Sequence, residues 1–338
     1  MRSTTRVRTL FTAGALLLGG AAIAAIGVGS VAIPPTEVVG ILLQQIGVGA
    51  DATASPGSTA IVTELRLPRI MAAILVGAAL AVAGGVFQSL LRNPLADPYV
   101  LGTSSGAALG AAVAILLPIS GVAWELGGVQ LAAFAGALAA VGLVWRVAGI
   151  GSGEERIASV LLVGYAVASL LAAALSLVML MSGANLRAIF SFLLGGFDGA
   201  TWPRLAAAAL PLILATTLLA LRGRPLAALL LGDEGAMHLG VEVRRERRIS
   251  VALASLATAA AVALAGLIGF VGLVVPHLIR LAVGPDPRAV LPLSAIGGAL
   301  LLLVADSVAR TIGIPVGVIT ALIGAPFLLW LLHRSRAG

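Results

Sequence analysis

The 338-residue chain contains no cysteine and no lysine; its 21 basic residues are all arginine, only 10% of its residues are charged and 4% are aromatic. Without cysteine there are no disulfides, no thiolate metal sites and no cysteine nucleophile. Without lysine there is no nucleotide-binding loop of the form GxxxxGK[ST], whose lysine contacts phosphate, so ATP hydrolysis of that type must come from a partner. No HExxH sequence occurs, hydrolytic catalysis has no support, and the residues call for neither a metal nor a cofactor. A soluble domain carries about a quarter charged residues; with 60% hydrophobic residues in their place, lipid is the expected solvent.

What is present is a series of long apolar runs. Those free of charge extend over 10–33, 70–91, 100–121, 126–145, 157–181, 205–221, 249–279, 289–305 and 312–332. A membrane span needs about 20 such residues. The run 249–279 is too long for one span, is interrupted by Gly266, Gly269 and Gly272 and is followed within the run by Pro276. It is expected to divide into a full helix and a shorter returning one, giving about ten spans. The opening segment has arginines at 2, 6 and 8 before an uncharged stretch from Thr9 to Thr36. That stretch exceeds the core of about 7–15 residues of a secretory signal, so it is expected to be a retained first helix.

The net charge of +7 does not point to nucleic acid, because the arginines punctuate apolar segments instead of gathering on one stripe. They serve better to orient the chain. With both termini cytoplasmic and ten passes, sixteen arginines lie inside and five outside (Arg66, Arg69, Arg187, Arg204 and Arg310); with nine passes the count is thirteen against eight. The bias of positive charge to the cytoplasmic side favours ten. The expected fold is an all-α polytopic membrane protein, a single transmembrane domain over 1–338 with a cytoplasmic loop at 222–248.

Ionisable residues within the spans are scarce, which argues against ion-coupled transport. His277 is expected to be a packed or interfacial histidine, and Asp306 a helix-end partner of Arg310, four residues on. Gly102, Gly106 and Gly110 recur every four residues, a spacing that lets helix backbones approach. In the polar interruption "RNPLADPYVLG", from Arg92 to Gly102, Asn93 followed by Pro94 fits a helix start.

The stretch "ELRLPRIMAAILVGAALAVAGGVFQSLLRNPLADPYVLGTSSGAALGA", Glu64 to Ala111, resembles the signature region of permease subunits of the ABC importers for cobalamin, ferric siderophores and haem. Further similarity lies in "LGDEGAMHLGV" (Leu231 to Val241), "GLIGFVGLVVPHLIRL" (Gly266 to Leu281) and "PVGVITALIGAPFLLWLL" (Pro315 to Leu332). The resemblance runs in order over nearly the whole chain. It implies a ten-helix permease of a prokaryotic cell (inner) membrane, paired with a second permease subunit, identical or a close paralogue. It further implies two copies of an ATP-binding ABC subunit and an extracytoplasmic substrate-binding protein.

Three sets of residues follow. "PLAALLLGDEG", inside the cytoplasmic loop, is too short for a span yet too apolar for a solvated loop. Leu229, Leu230, Met237 and Leu239 are expected to bury against a partner, with Asp233 and Glu234 on the rim. The resemblance implies the ATPase-coupling helices here, Gly232 included. On the outer side it implies that Arg66, Arg69 and Arg310 dock acidic residues of the binding protein; the alternative is arginines snorkelling to headgroups. The segment "RTIGIPVGV" after Arg310 is shorter than in the resembling permeases. Finally, the resemblance implies a cytoplasmic gate at Asn93 and Leu95, with a second constriction near Ile157 to Ser159, against a plain turn. The rival readings of the whole chain are a secondary transporter without an ATPase partner and a passive membrane scaffold.

Overall fold

The computed structural model describes residues 2–29, 31–45, 47, 55–117, 127–148 and 154–336. Among them no strand occurs. The helices are α1 (Arg2–Gly27), α2 (Pro35–Gln45), α3 (Pro56–Leu90), α4 (Thr103–Leu116), α5 (Gly128–Ala148), α6 (Glu154–Leu180), α7 (Leu186–Leu194) and α8 (Trp202–Leu221). They continue with α9 (Gly223–Leu229), α10 (Asp233–His238), α11 (Val243–Ala265), α12 (Val271–Val283), α13 (Pro287–Ile312) and α14 (Val316–Arg336). Seven are long and apolar enough to cross a membrane: α1, α3, α5, α6, α8, α11 and α13. Four further apolar helical stretches, in α4, α7, α12 and α14, are shorter, which approximates the expected ten, and the protein is a multi-pass membrane protein. The ends of the runs near 118–126, and the side chains of Ile157 and Ala158 at the suggested second constriction, lie outside the described residues.

Helix α3 is the hub. It packs against α13, α11, α8 and α12 and is buried along most of its length, whereas α1 and α6 expose most of theirs. Small residues explain how α3 fits. A Cβ on Gly77 would lie 2.3 Å from the Gly298 carbonyl oxygen of α13, and one on Gly84 would lie 1.9 Å from that of Gly272 in α12. The backbones touch there, as interhelical glycines permit. The same device joins α4 to α5, where Cβ atoms on Gly106 and Gly110 would come within 2.3 and 2.2 Å of the carbonyls of Gly136 and Ala132. Gly102 has a different use: at φ 73° it caps α4 in the left-handed region.

Gly102 to Gly106, "GTSSG", also has the GxSxG spacing of hydrolase nucleophiles. That motif requires a strand-to-helix turn; here no strand precedes it, Thr103 is buried and Gly106 is pressed on α5. It is helix packing.

The run 249–279 divides as expected. Helix α11 ends at Gly266, φ 69°, where a Cβ would strike the Phe192 carbonyl at 2.3 Å. Phe270, also at φ 69°, starts α12. With 13 residues α12 rises about 20 Å, short of the ~30 Å hydrocarbon core, and it does not span alone.

Candidate functional site: the arginine cavity, the turn and the loop at 222–248

The interruption at 92–102 is built differently from the expected helix start. Leu91 closes α3 and Arg92 turns the chain at φ 49°. The Asn93 side chain then accepts the Leu95 amide at 2.9 Å, so it makes a local turn and starts no helix. The second Asx-Pro pair does that work: the Asp97 carboxylate accepts the Tyr99 amide at 2.8 Å, with Pro98 at the first position of a short 3₁₀ turn, Pro98–Leu101. Asn93 and Pro94 are exposed and Leu95 is half-buried.

This segment is pinned to the break between α11 and α12. Gln88, buried at the end of α3, donates from Nε2 to the carbonyls of Ala96 (3.1 Å), Gly272 (3.2 Å) and Leu273 (3.2 Å). The Tyr99 hydroxyl binds Ile268. Burial, reinforced by the charge of Asp97, pushes the Tyr99 phenol above its ordinary range, so it stays a hydroxyl. Burial likewise pushes Asp97 up to about 6, with the hydrogen bond from the Tyr99 amide opposing. Neither Gln88 nor Tyr99 stands out in the sequence, because each signal depends on a partner more than 160 residues away.

In the loop at 222–248 the structure brings together most of the expected residues. Leu230 is 36% exposed, Met237 57% and Leu239 63%, and Leu231 joins them at 69%. These form an apolar surface on and around α10. Leu229 departs from expectation: at 2% exposure it packs into the main core. A seven-residue helix leaves its inward face undecided by spacing alone. Gly232 is needed where it stands, at φ 101°. Glu234 is exposed, while Asp233 is tied inward, to Arg247 at 2.7 Å and Arg92 at 3.5 Å. Beside them Arg222 pairs with Glu246, which also accepts from Ser250 at 2.9 Å.

On the opposite side Arg66, Arg69 and Arg310 line one cavity of about 790 Å³ together with Arg187, Ser191 and Asp198. Arg69 donates from Nε to both Asp306 oxygens, at 2.9 and 3.1 Å, and pairs with Asp198 at the rim. Arg310 Nε lies 3.2 Å from Asp306, the helix-end pair expected from sequence. Asp306 is wholly buried between the two guanidiniums. Arg66 is placed otherwise than a docking residue requires. It is 6% exposed and its guanidinium donates to the carbonyls of Ile26 and Val31, where the chain leaving α1 crosses over it. Arg187 and Asp198 are additions that sequence reasoning did not assign. His277 is half-buried, edge-on to Phe327 at 6.0 Å, with no hydrogen-bond partner among the described residues, as a packed histidine would be.

This arrangement has known counterparts. A profile of the FecCD transport family matches residues 16–334. The chain is 48% identical to the cobalamin import system permease protein BtuC of Halobacterium salinarum over 81% of this chain and 73% of that one. It is 44% identical to the hemin transport system permease protein HmuU of Yersinia pestis, over 80% of this chain and 83% of that one. A solved inward-facing structure of an ABC transporter of the metal-chelate type superposes with a TM-score of 0.83 at 30% identity, covering 97% of this chain and 99% of that one. The chain belongs to the FecCD transport family.

Proposed function

We propose that the chain is the membrane-spanning permease of a binding-protein-dependent ABC importer that carries a metal chelate or corrinoid into the cytoplasm by alternating access. Ferric siderophores, haem and cobalamin are the candidate cargoes; the relatives named for cobalamin and hemin support that class. ATP is hydrolysed by two copies of a separate ABC subunit, a second permease subunit completes the pathway, and an extracytoplasmic binding protein delivers the cargo. The assembly sits in a prokaryotic inner membrane with both termini cytoplasmic. In this reading Asn93 and Leu95 gate the cytoplasmic end. Arg69 and Arg310 meet acidic residues of the binding protein at the outer mouth, and Arg66 joins them if its carbonyl contacts open.

The observation that carries the proposal is the apolar surface of Leu230, Leu231, Met237 and Leu239 at the cytoplasmic loop, with Glu234 beside it. A soluble surface seldom gathers such residues without a partner, and this chain leaves Leu230, Leu231, Met237 and Leu239 uncovered. Co-expression with an ABC subunit of this family tests it. The unaltered chain should retain the subunit through purification, and Met237→Asp combined with Leu239→Asp should lose it; equal retention by both would refute the assignment.

A proton-coupled secondary transporter uses a group that changes charge along the path. Asp306, the wholly buried carboxylate among the described residues, is instead held by two guanidiniums, which favours the importer.

A further inference from the structure

Helices α5, α8 and α11, each long and apolar enough to cross a membrane, do not close on one another along their whole length. They leave a cavity of about 240 Å³ walled by Leu131 and Phe134 of α5, Ala207 and Ala208 of α8, and Ala260 and Ala263 of α11. Alanines stand where larger side chains would fill the space. Pro211, inside α8, also lines the cavity and has no N–H to offer the Ala207 carbonyl one turn back. The rim is apolar and open: Leu131 is 65% exposed, and Leu210, next to Pro211, is 72% exposed. Around spanning helices the medium at this depth is hydrocarbon, so the cavity opens onto lipid.

One end of the groove is polar. Gln130, in the first turn of α5, and Arg204, in the first turn of α8, line it there. Arg204 is half-buried and held in place: it donates to the Gly199 carbonyl at 3.0 Å, and a Cβ on Gly199 would lie 2.9 Å from its Nη1. Its guanidinium is a fork of donors whose shape suits phosphate. Trp202 begins the same turn and is partly exposed, and tryptophan gathers at the membrane boundary. From Arg204 to Pro211 helix α8 runs about 10 Å deeper. A basic group at the boundary above an apolar groove matches the two ends of a phospholipid. The cavity is smaller than the ~300–1,000 Å³ of sites that enclose small molecules, so it does not hold the chelates proposed as cargo.

We propose that this groove binds a phospholipid with an anionic headgroup, taken from the leaflet at the Trp202 end of α8. The phosphate lies against Arg204 and Gln130, and a segment of one acyl chain lies between α5, α8 and α11. Lipid tails are as apolar as these walls, so the hold comes from close packing in the groove and from the headgroup contact, not from escape from water. Asp198 lines the adjoining cavity that shares Gln130 and Arg204, and its charge is met by Arg69.

Intact-protein mass spectrometry reads this on the full-length chain, taken in mild detergent from vesicles of equal parts phosphatidylglycerol and phosphatidylcholine. The unaltered chain should retain a phospholipid, with phosphatidylglycerol favoured about fivefold, the worth of one arginine near the headgroups. Arg204→Gln should abolish that preference. Ala207→Phe, at an exposed position on the wall, should lower retention about tenfold, the worth of roughly ten lost carbon–carbon contacts. Leu170→Ala, 64% exposed on α6 and outside the groove, should retain lipid as the unaltered chain does.

No retained lipid, equal retention after Ala207→Phe, or an equal loss in Ala207→Phe and Leu170→Ala would overturn the site. An unchanged preference in Arg204→Gln would overturn the headgroup contact, and this variant decides even where Ala207→Phe fails to fold. The measurement needs no cargo, nucleotide or ABC subunit, so the transport reading stands or falls separately.

Discussion

The phenol of Tyr99 holds both backbone groups of Ile268: its hydroxyl donates to the carbonyl at 2.9 Å and accepts from the amide at 3.3 Å. Ile268 lies in the break between α11 and α12, and Tyr99 in the turn after α3. Two unwound segments, each with backbone groups that lipid cannot satisfy, thus satisfy each other. Tyr99→Phe should destabilise the protein by about 1–3 kcal/mol, the cost of stranding buried polar groups. Tyr165→Phe, at a residue 73% exposed, should change little. Thermal unfolding in detergent compares the two.

Asp306 is a wholly buried carboxylate paired with two arginines that line one cavity. Asp306→Asn leaves Arg69 and Arg310 facing each other without a buried counter-charge, which typically costs about 3–5 kcal/mol. The exposed pair of Asp286 with Arg288, 2.7 Å apart, is screened by solvent and should contribute far less. Denaturant midpoints of Asp306→Asn and Asp286→Asn should differ accordingly, and similar shifts would mean that Asp306 is better hydrated than its burial indicates.

These examples mark what the sequence could show. The pair Asp306 and Arg310 is legible because four residues make one helical turn. The partnership of Asp306 with Arg69 is not, because it joins α3 to α13 across 237 positions. Both Asx-Pro pairs in "RNPLADPY" carry a start signal, and only the contacts of Gln88 with Ala96 and of Tyr99 with Ile268 decide that Asp97 caps and Asn93 turns. The division of 249–279 was readable from its glycines and proline. The inward face of α9 was not, since seven residues hold too few turns to set a phase.

Close backbone contact makes another contrast. Gly84→Ala would place a methyl group 1.9 Å from the Gly272 carbonyl, and α3 and α12 would have to part. The loss should be at least about 1–3 kcal/mol, as in an overpacked core. Gly142→Ala on α5 meets nothing within 4 Å and should be neutral or stabilising by up to about 1 kcal/mol through helix propensity. Melting temperatures that move together would contradict the packing described.

Asp97 gives a pH signature. Its carboxyl lies near 3.8 when unperturbed and is pushed up to about 6 in the fold. Between these values the folded chain binds more protons than the unfolded one, so this contribution is full below about pH 4 and is lost as pH rises through about 6. Asp286, held below its ordinary value chiefly by the hydrogen bond from Arg288, contributes in the opposite sense, losing stability as pH falls. Asp97→Asn should flatten the fall between pH 4 and 6 in a stability profile; an unchanged profile would exclude Asp97 as its source.

Transport itself is decided in vesicles. With the permease, an ABC subunit and a binding protein reconstituted together, radiolabelled haem, cobalamin or a ferric siderophore should accumulate only when ATP, the ABC subunit and the binding protein are all present. Accumulation driven by an ion gradient with the ABC subunit omitted would contradict the account.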